Sequence, residues 1–505
     1  MNRKSVGIAV LILLAVTHVL LHLLTAGNYG MFRDEFYYID CAKHLDWGYV
    51  DQPPLSLAVL AGSLQVFGDS PLAVRLIPAL IGGLMIVLVW LIAGELGGGN
   101  WAKFLAALVL FSCPQFTGST GYYSMNSFDY LFWALGFYIL IRIFKTDNPR
   151  LWLWFGAVVG LGLLNKISIL FFLLGLGMGL LLTRQRKHLK SGWFWAGAGL
   201  AALLFLPHVI WQIRNGWPTL EFMSNAQKYK MAALSPFQFI LGVWMDNNPV
   251  NVLVWLPGLA YLFFSRKASE YRMLGWLFVF VLALLIVQKG KPYYLAPAFP
   301  ILFAAGAVAL ESALHDKWAK LRPPIAITVV LAGLFSLPFC LRILPVQKFI
   351  AYQKLTGIRS TEGERHTFGV LPQFYADHFG WENMAKTVSE IYATLTPEQK
   401  KDCVVYGRNY GEAGAINYYR KKYPLPQGIS EHNNFYLWGP GPFKGGTIIF
   451  IGVPVEDLMD EYTVVEQRAT VVSEYAMPYE TNLPVCVAFG LKIPIEKAWG
   501  PPRYN

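Results

Sequence analysis

Charged residues are scarce in this sequence, and their scarcity excludes an ordinary soluble protein. Of the 505 residues, 14% are charged and 55% are hydrophobic, whereas a soluble domain carries about 25% charged residues. We therefore expect a membrane protein with several spans. The 17 tryptophans and 26 tyrosines agree with this class, because aromatic rings concentrate where spans meet the membrane interfaces.

Cysteine is also rare, and a glycine-rich phosphate loop is missing from the polar C-terminal part. The five cysteines show no metal-binding spacing, so neither a zinc site nor an iron–sulfur site is predicted. Cys403 and Cys486 both fall in predicted strands. They are either bonded in an oxidising compartment or, as we favour, two buried free thiols.

The positive charge of the chain does not indicate a nucleic-acid partner. The formal net charge is +11, but the basic residues cluster in short loops between apolar runs, as in membrane proteins with positive cytoplasmic loops. Four clusters fall on one side if the runs are counted in order: Arg142/Lys145/Arg150, Arg184/Arg186/Lys187/Lys190, Arg266/Lys267/Arg272 and Lys317/Lys320/Arg322.

Eleven apolar runs predict a polytopic helical domain over residues 1–345 with about eleven transmembrane helices. The first run, 6–26, is long enough to span and lacks a clean cleavage site, so we favour an uncleaved helix over a signal peptide. Several runs are too short to span alone, which predicts broken or re-entrant helices. The other runs are 72–93, 104–112, 128–144, 152–164, 168–183, 193–210, 237–264, 272–288, 293–312 and 325–344.

Residues 346–505 are more polar and predict a small α/β domain outside the membrane. Helices are expected at 384–395 and 411–422, with a third at 455–462, and strands are expected between them. With a cytoplasmic N-terminus, an odd number of spans places this domain, and the first loop 27–70, on the outer side. The predicted strands are Cys403–Tyr406, Thr447–Val453, Thr463–Val465 and Val485–Phe489.

The first outer loop, 27–70, holds the best candidates for catalysis. Asp34 and Glu35 lie beside the membrane boundary, where an ionised pair is costly unless it faces water, a partner or a substrate. Asp51 lies in the same loop, and Asp129 ends a later helix on the same side. Several carboxylates at one face would let one act as general base while another orients it. The alternative is a solvated helix end in which Arg33 pairs with the acidic residues.

Cations at the same face suggest an anionic ligand. Lys166, Arg214, Lys289 and Lys291 all fall on the outer side, opposite to where positive-inside statistics place them. Each is alternatively a side chain that reaches from the apolar region to water. As a group they are typical of a phosphate-binding site. A divalent metal held by the loop carboxylates and a histidine, either His44 or His208, stays open, but no spacing supports it and no metal ligand is assigned.

Carboxylates and phosphate-binding cations together indicate one class of chemistry. A sugar donor linked to a lipid phosphate would keep its chain in the bilayer and its headgroup at the loop. A carboxylate would deprotonate an acceptor hydroxyl, and the cations would stabilise the departing phosphate. Displacement from the opposite face would invert the anomeric centre.

The segments of residues 1–345 resemble the protein O-mannosyltransferase family of the C-type glycosyltransferase superfamily. More distantly, they are similar to the bacterial aminoarabinose transferases of lipid A. The first loop carries the most specific part of the resemblance. The segments are Asp34-Glu35, Pro53-Pro54-Leu55, Phe67-Gly68, Ala73–Pro78, Asp129 in its Ser-x-Met-x-x-x-Asp setting, Gly162–Lys166 and Lys291–Pro300.

The resemblance implies roles for individual residues. Asp34 would be the catalytic carboxylate, Glu35 its neighbour in the acidic pair, and Lys291 a contact to the lipid phosphate. Gln52 departs from the family, since the mannosyltransferases have His and the aminoarabinose enzymes have Lys before Pro-Pro-Leu. The full set of expected site residues is Asp34, Glu35 and Asp129 for catalysis, and Asp51, Gln52, Lys166, Arg214, Lys289, Lys291 and Tyr293 for substrate binding.

We therefore expect an inverting glycosyltransferase in a bacterial cytoplasmic membrane, with its C-terminal domain in the periplasm. Its partners would be a polyprenyl-phosphate sugar and a protein, lipid or glycan acceptor. The main alternative is a transporter or flippase of an anionic or lipid-linked substrate, which would place charges near mid-membrane. A receptor with a ligand-binding outer domain is a further alternative, but it leaves Asp34-Glu35 unexplained.

Overall fold

A long helical bundle is followed by a small α/β domain. The computed structural model describes residues 3–231, 234–358, 367 and 369–499. The last long apolar helix ends at Cys340, and the next helix begins at Val346. The expected domain boundary at 345/346 falls between them, and the parts of 346–505 at 359–366, 368 and 500–505 lie outside the described residues.

Seven helices of the described chain are long and apolar enough to cross a membrane, or eight if one bent pair counts as a span. The four other predicted runs form shorter or broken helices, as expected for runs too short to span alone. The long helices are Ser5–Thr25, Pro71–Glu95, Met125–Thr146, Gly192–Arg214, Arg266–Val287, Pro292–Ala313 and Asp316–Cys340.

The expected broken helices are present. Ile169–Leu181 and Arg184–Lys190 meet at an angle of 109°. The run 237–264 splits into Pro236–Asp246 and Pro249–Phe264, because Pro249 lacks an amide hydrogen and Asn248 has a left-handed φ of 64°. Other short helices of the bundle are Asn100–Phe111, Pro114–Ser119, Leu151–Leu163 and Pro218–Asn225.

The first outer loop is largely helical, contrary to its interpretation as a polar loop. Arg33–Lys43 and Leu55–Phe67 are both helices. The Pro53-Pro54 step separates them, because proline cannot continue a helix and restricts the residue before it. Pro54 is the N-cap of the second helix, with φ of −82° and ψ of −18°. The helix Arg33–Lys43 buries eight of its eleven residues, so it is a packed element and presents little of its surface to solvent.

Basic residues gather at the end of the bundle away from Arg33–Lys43. Glu95 accepts hydrogen bonds from Arg142 (3.1 Å) and Lys145 (2.9 Å), and Lys187 pairs with Asp147 at 2.8 Å. These contacts join two of the four basic clusters at one end, as the loop charges predicted.

The C-terminal domain is a five-stranded mixed sheet with helices packed against it. The strands are β1 Cys403–Gly407, β2 Gln427–Ile429, β3 Thr447–Ile451, β4 Tyr462–Val471 and β5 Leu483–Leu491. The strand order is β2-β1-β3-β5-β4. Parallel pairs join β1 to β2 and β3, and antiparallel pairs join β5 to β3 and β4. The helices are Val346–Thr356, Gln373–Ala376, Trp381–Ala393, Pro397–Lys401, Tyr410–Tyr419, Asn434–Trp438, Val455–Leu458 and Ile495–Ala498.

Most of the predicted elements of this domain are confirmed. The four predicted strands and the helices near 384–395 and 411–422 are present. Strand β2 was missed, because its three residues are too few to show the alternation of buried and exposed side chains along a strand. The expected third helix ends at Leu458, and Tyr462 already begins β4. Cys403 and Cys486 are free thiols; their strands are separated by β3, so the disulfide alternative is wrong.

Two glycines let helices Leu151–Leu163 and Gly192–Arg214 approach closely. A Cβ on Gly156 would overlap the backbone of Gly197, and a Cβ on Gly197 would overlap the carbonyl of Trp152. Small residues at such crossings are typical of helix pairs in membranes, where close backbone packing replaces the hydrophobic drive.

We predict that Gly197→Ala destabilises the bundle and that Gly199→Ala does not. The first substitution forces the two helices apart, at a cost of about 1–3 kcal/mol for an overpacked contact. Gly199 lies in the same helix, and a Cβ added there would meet no atom within 4 Å. Thermal unfolding of both variants in detergent measures the difference, and equal melting temperatures would contradict the packing described.

Candidate functional site

A large cavity lies between the bundle and the C-terminal domain, and both contribute its walls. It encloses about 1590 Å³. Helix Arg33–Lys43 forms part of the wall, and bundle helices form most of the remainder. Predicted site residues that line it are Asp34, Asp51, Lys166, Lys291 and Tyr293. Five of the ten expected residues thus share one cavity.

Asp34 lies in the first turn of its helix and faces the cavity. The hydroxyl of Tyr410, from the C-terminal domain, donates a hydrogen bond of 2.8 Å to Asp34 Oδ1. Arg33 stacks over the Tyr410 ring at 4.9 Å. The carboxylate is therefore held in place by a residue almost 400 positions away in the sequence.

Glu35 is oriented away from the cavity and is fully paired. Arg75 binds it through two nitrogens, with Nε to Oε1 at 2.9 Å and Nη2 to Oε2 at 2.6 Å. The amides of Phe32 and Tyr123 donate to the same carboxylate at 2.8 and 2.9 Å. Glu35 is completely buried and absent from the cavity wall. This position differs from the catalytic role expected for it and fits a structural one.

Asp51 faces the cavity, and Gln52 does not. Tyr37 donates to Asp51 Oδ1 at 3.0 Å, and Asn434 of the C-terminal domain accepts a bond from the amide of Val50 at 2.7 Å. Gln52 is buried behind this turn, and neither polar atom of its side chain has a hydrogen-bond partner among the described residues. The expected substrate contact of Gln52 is therefore not present in this geometry.

Asp129 lies behind Lys166 and positions it. Lys166 Nζ donates to Asn126 Oδ1 at 2.7 Å and lies 3.6 Å from Asp129 Oδ2. Ser168 donates to the same Asp129 oxygen at 2.8 Å. Asp129 is buried and does not line the cavity, so its contact is with the lysine and not with the space a substrate would fill.

The second lysine of the cavity comes from the segment after the helix that ends at Val287. Lys291 lies over the Tyr293 ring at 6.0 Å, and Lys166 lies over the same ring at 5.8 Å. Tyr294 is 5.4 Å from Lys166. Two cations and two aromatic rings thus converge on one wall.

Arg214 and Lys289 do not join this group. Both are exposed and absent from the cavity wall. Arg214 ends the helix Gly192–Arg214, and Lys289 occupies a turn with φ of 54°. The sequence placed them at the correct end of the bundle, but it could not tell which side of a turn faces inwards.

Two cavity residues of the C-terminal domain were missed by the sequence analysis. Tyr410 and Asp377 both line the wall. Burial raises the pKa of Asp377 to about 7, against the opposing effect of Arg33. No local pattern marks either residue, because each reaches the cavity only through the docking of the domain.

The described residues contain no group of three or more His, Cys, Asp or Glu arranged to hold a metal ion. Asp34 and Asp51 face the cavity, whereas His44 stacks on Trp438 at 4.5 Å. We assign no role to a metal.

A family model and a curated relative are similar to parts of this chain. Residues 51–211, about a third of the chain, match the family model of dolichyl-phosphate-mannose-protein mannosyltransferases. The undecaprenyl phosphate-alpha-4-amino-4-deoxy-L-arabinose arabinosyl transferase 1 of Pseudomonas fluorescens is 24% identical over 353 residues, 64% of each chain. The chain thus spans less than two thirds of that relative.

Solved structures share the fold. ArnT from Cupriavidus metallidurans, bound to undecaprenyl phosphate, has a TM-score of 0.57 at 15% identity, covering 99% of this chain and 98% of that one. The oligosaccharyltransferase of Archaeoglobus fulgidus has a TM-score of 0.52 at 13% identity, covering 82% and 63%.

The multi-pass bundle, with a cavity under a docked α/β domain, is the C-type glycosyltransferase fold. In sequence, the chain is similar to the protein-mannosyltransferase family model over residues 51–211 and to an aminoarabinose transferase.

We predict that Glu35→Gln lowers stability and that Asp34→Asn does not. Glutamine cannot neutralise buried Arg75, so the first variant loses about 3–5 kcal/mol, as expected when one partner of a buried ion pair is removed. Asparagine at 34 still accepts the Tyr410 hydrogen bond and leaves the melting temperature near that of the wild type. Thermal unfolding in detergent provides the measurement. Equal melting temperatures for the two variants would refute the structural role of Glu35.

Proposed function

We propose that this protein is an inverting glycosyltransferase that moves a sugar from a polyprenyl-phosphate donor to an acceptor hydroxyl. The observation that carries the proposal is that Asp34, Lys166 and Lys291 face one cavity. A base and two phosphate-binding cations are the groups this transfer requires. Similarity to proteins named for lipid-phosphate-linked sugars supports the same class.

Asp34 is the general base of the proposed reaction. It takes the proton of the acceptor hydroxyl, whose oxygen then bonds to the anomeric carbon of the donor sugar. The bond from that carbon to the phosphate oxygen breaks, and its electron pair leaves with the phosphate. Tyr410 fixes Asp34 Oδ1, so Oδ2 takes the proton. Attack opposite to the leaving phosphate inverts the anomeric configuration.

Lys166 and Lys291 bind the phosphate of the donor and of the lipid product. Both ammonium groups lie near Tyr293, which also offers a flat ring to a sugar. A preorganised positive pair stabilises the charge that develops on the departing phosphate. Asn126 and Asp129 hold Lys166 in position, and Asp129 therefore acts through the lysine.

The lipid chain of the donor occupies the apolar part of the same cavity. Aliphatic and aromatic side chains of three bundle helices continue the wall away from the charged end: Leu170, Phe171, Leu174, Leu285, Leu331, Phe335 and Phe339. Such a surface favours a hydrocarbon chain, because each buried methylene contributes about 0.8 kcal/mol.

The outer face of the cytoplasmic membrane is the proposed location of the site. Helix Met125–Thr146 brings Asn126 to the cavity, whereas its other end carries Arg142 and Lys145. Cytoplasmic loops carry the excess of basic residues, so the cavity and the C-terminal domain belong on the outer side and the N-terminus on the inner side. The acceptor is a protein, or a lipid or glycan of the envelope.

We predict that release of polyprenyl phosphate depends on Asp34. Purified protein in detergent is incubated with polyprenyl phosphates carrying different sugars, including mannose and 4-amino-4-deoxy-L-arabinose, and with candidate acceptors. Asp34→Asn should slow release about 10²–10⁴-fold, the usual contribution of a general base. If no donor is consumed, or the variant is as fast as the wild type, transferase chemistry at Asp34 is refuted, and liposome transport assays follow.

A second prediction separates two lysines only two residues apart. Lys291→Met should raise the KM for the lipid-phosphate donor about tenfold or more, since a charge-assisted hydrogen bond contributes about 1.5–3 kcal/mol. Lys289→Met removes the same charge from an exposed turn outside the cavity and should leave the donor KM unchanged. A similar rise for both variants would indicate a general effect of surface charge.

A further inference from the structure

The backbone of Asp377 is hydrogen-bonded to the helix turn that carries Asp34. It follows the short helix Gln373–Ala376 of the C-terminal domain. Its carbonyl oxygen accepts a hydrogen bond of 2.9 Å from the amide of Arg33 and one of 2.8 Å from the indole of Trp381. The backbone of Asp377 is thereby fixed to the residue that directly precedes Asp34.

The side chain of Asp377 belongs to the cavity. It lines the same wall as Asp34 and is only 4% exposed. Its Oδ1 atom is buried and has no hydrogen-bond partner in the part of the chain that the structure describes. A buried carboxyl oxygen without a partner is costly as an ion. Its position in the cavity wall makes the carboxyl available to a second acid–base group or to a substrate.

We propose that Asp377 is a positioning residue of the active site whose carboxyl stays protonated in the same cavity as Asp34. The proposal rests on the transferase function inferred above, and it makes the C-terminal domain part of the catalytic centre. Two carboxyl groups in one cavity do not both ionise easily, because the second negative charge is repelled by the first.

Burial favours the protonated form of Asp377, and its charged neighbours act in both directions. From the helix Arg33–Lys43 it faces Arg33, which opposes protonation, and Asp34, which favours it. From the other elements packed here it faces Tyr410 and Glu480; Glu480 adds negative charge. The largest effect is burial, which raises the Asp377 pKa to about 7. On its own segment, His378 is directed to Arg342 and to the carbonyl of Gly30.

The number of protons is then conserved over one reaction cycle. Before transfer, Asp34 carries the negative charge and Asp377 carries the proton. Asp34 gains the acceptor proton as the new glycosidic bond forms and the phosphate departs with its electron pair. The carboxyl pair now holds two protons, and one is released to water when the products leave. Loss of the Asp377 proton before donor binding would place two negative charges beside the anionic phosphate.

The donor KM of the wild type should therefore rise with pH. The Asp377 pKa is raised, so the neutral acid predominates below pH 7 and the carboxylate above it. Between pH 6 and 8.5 we expect the KM for the polyprenyl-phosphate donor to rise about tenfold, as a unit charge about 12 Å from the phosphate would cause at an effective dielectric constant of about 20. The value of kcat should change less.

Asp377→Asn tests the proposal, because asparagine imitates the neutral acid at every pH. Its donor KM should stay low at pH 8.5 and should no longer rise between pH 6 and 8.5, whatever the change in its kcat. Steady-state release of polyprenyl phosphate at five pH values gives both constants. A merely structural Asp377 would lower activity at all pH values and leave the pH dependence of KM intact.

Asp40→Asn is the matched control. Asp40 is a buried carboxylate of the same helix that binds Asn417 of the C-terminal domain at 2.9 Å, and it is absent from the cavity wall. Its variant should keep the wild-type pH dependence. The proposal is overturned if Asp377→Asn retains the rise in KM, or if Asp40→Asn abolishes it equally. An inactive wild type refutes the transferase function instead, so the two failures are distinguishable.

Discussion

The buried pair of Glu35 and Arg75 is the interaction on which the site depends. It joins the helix Arg33–Lys43 to the long helix Pro71–Glu95 with bidentate geometry, and Glu35 also accepts the amide of Tyr123. A buried pair stabilises little in total, because the desolvation of both ions offsets their attraction, but it strongly favours one geometry over others. The direction of Asp34, one residue earlier, follows from it.

The two adjacent residues of the acidic pair in the first loop therefore lie in different environments. Successive residues of an α-helix point about 100° apart, so Asp34 reaches the cavity while Glu35 is directed into the bundle. One carboxylate faces the cavity, and the other fixes the helix that presents it. A rigid support of this kind limits movement of a catalytic group, and small displacements at such groups are costly for rate.

The sequence predicted the class and most elements, because these depend on local patterns. Long apolar runs, loop charges and alternating strands are each visible within about 20 residues. Local patterns alone did not show which of Asp34 and Glu35, or of Lys291 and Lys289, faces the cavity. Neighbouring residues of equal chemistry differ only in the direction of their side chains. The helix over residues 33–43 was not predicted, because the polar residues of its first turn suggested a loop exposed to solvent.

The contacts that the C-terminal domain makes at the site could not be predicted from local patterns. Asp377 and Tyr410 contact residues 33 and 34, and no periodicity connects positions that far apart. The way in which the shorter apolar helices pair could not be predicted for a related reason. Short helices such as Leu151–Leu163 are completed by their neighbours in the bundle, which a window along one segment does not include.

The hydrogen bond from the amide of Arg33 to the carbonyl of Asp377 has a consequence for biosynthesis. The first amides of a helix have no partner within the helix, and here one of them is satisfied by a carbonyl that the ribosome adds some 340 residues later. All seven long apolar helices of the described residues precede Asp377. The ribosome therefore completes the long helices before it adds the carbonyl that caps the Asp34 turn, and this turn is complete only once the C-terminal domain has folded onto the bundle.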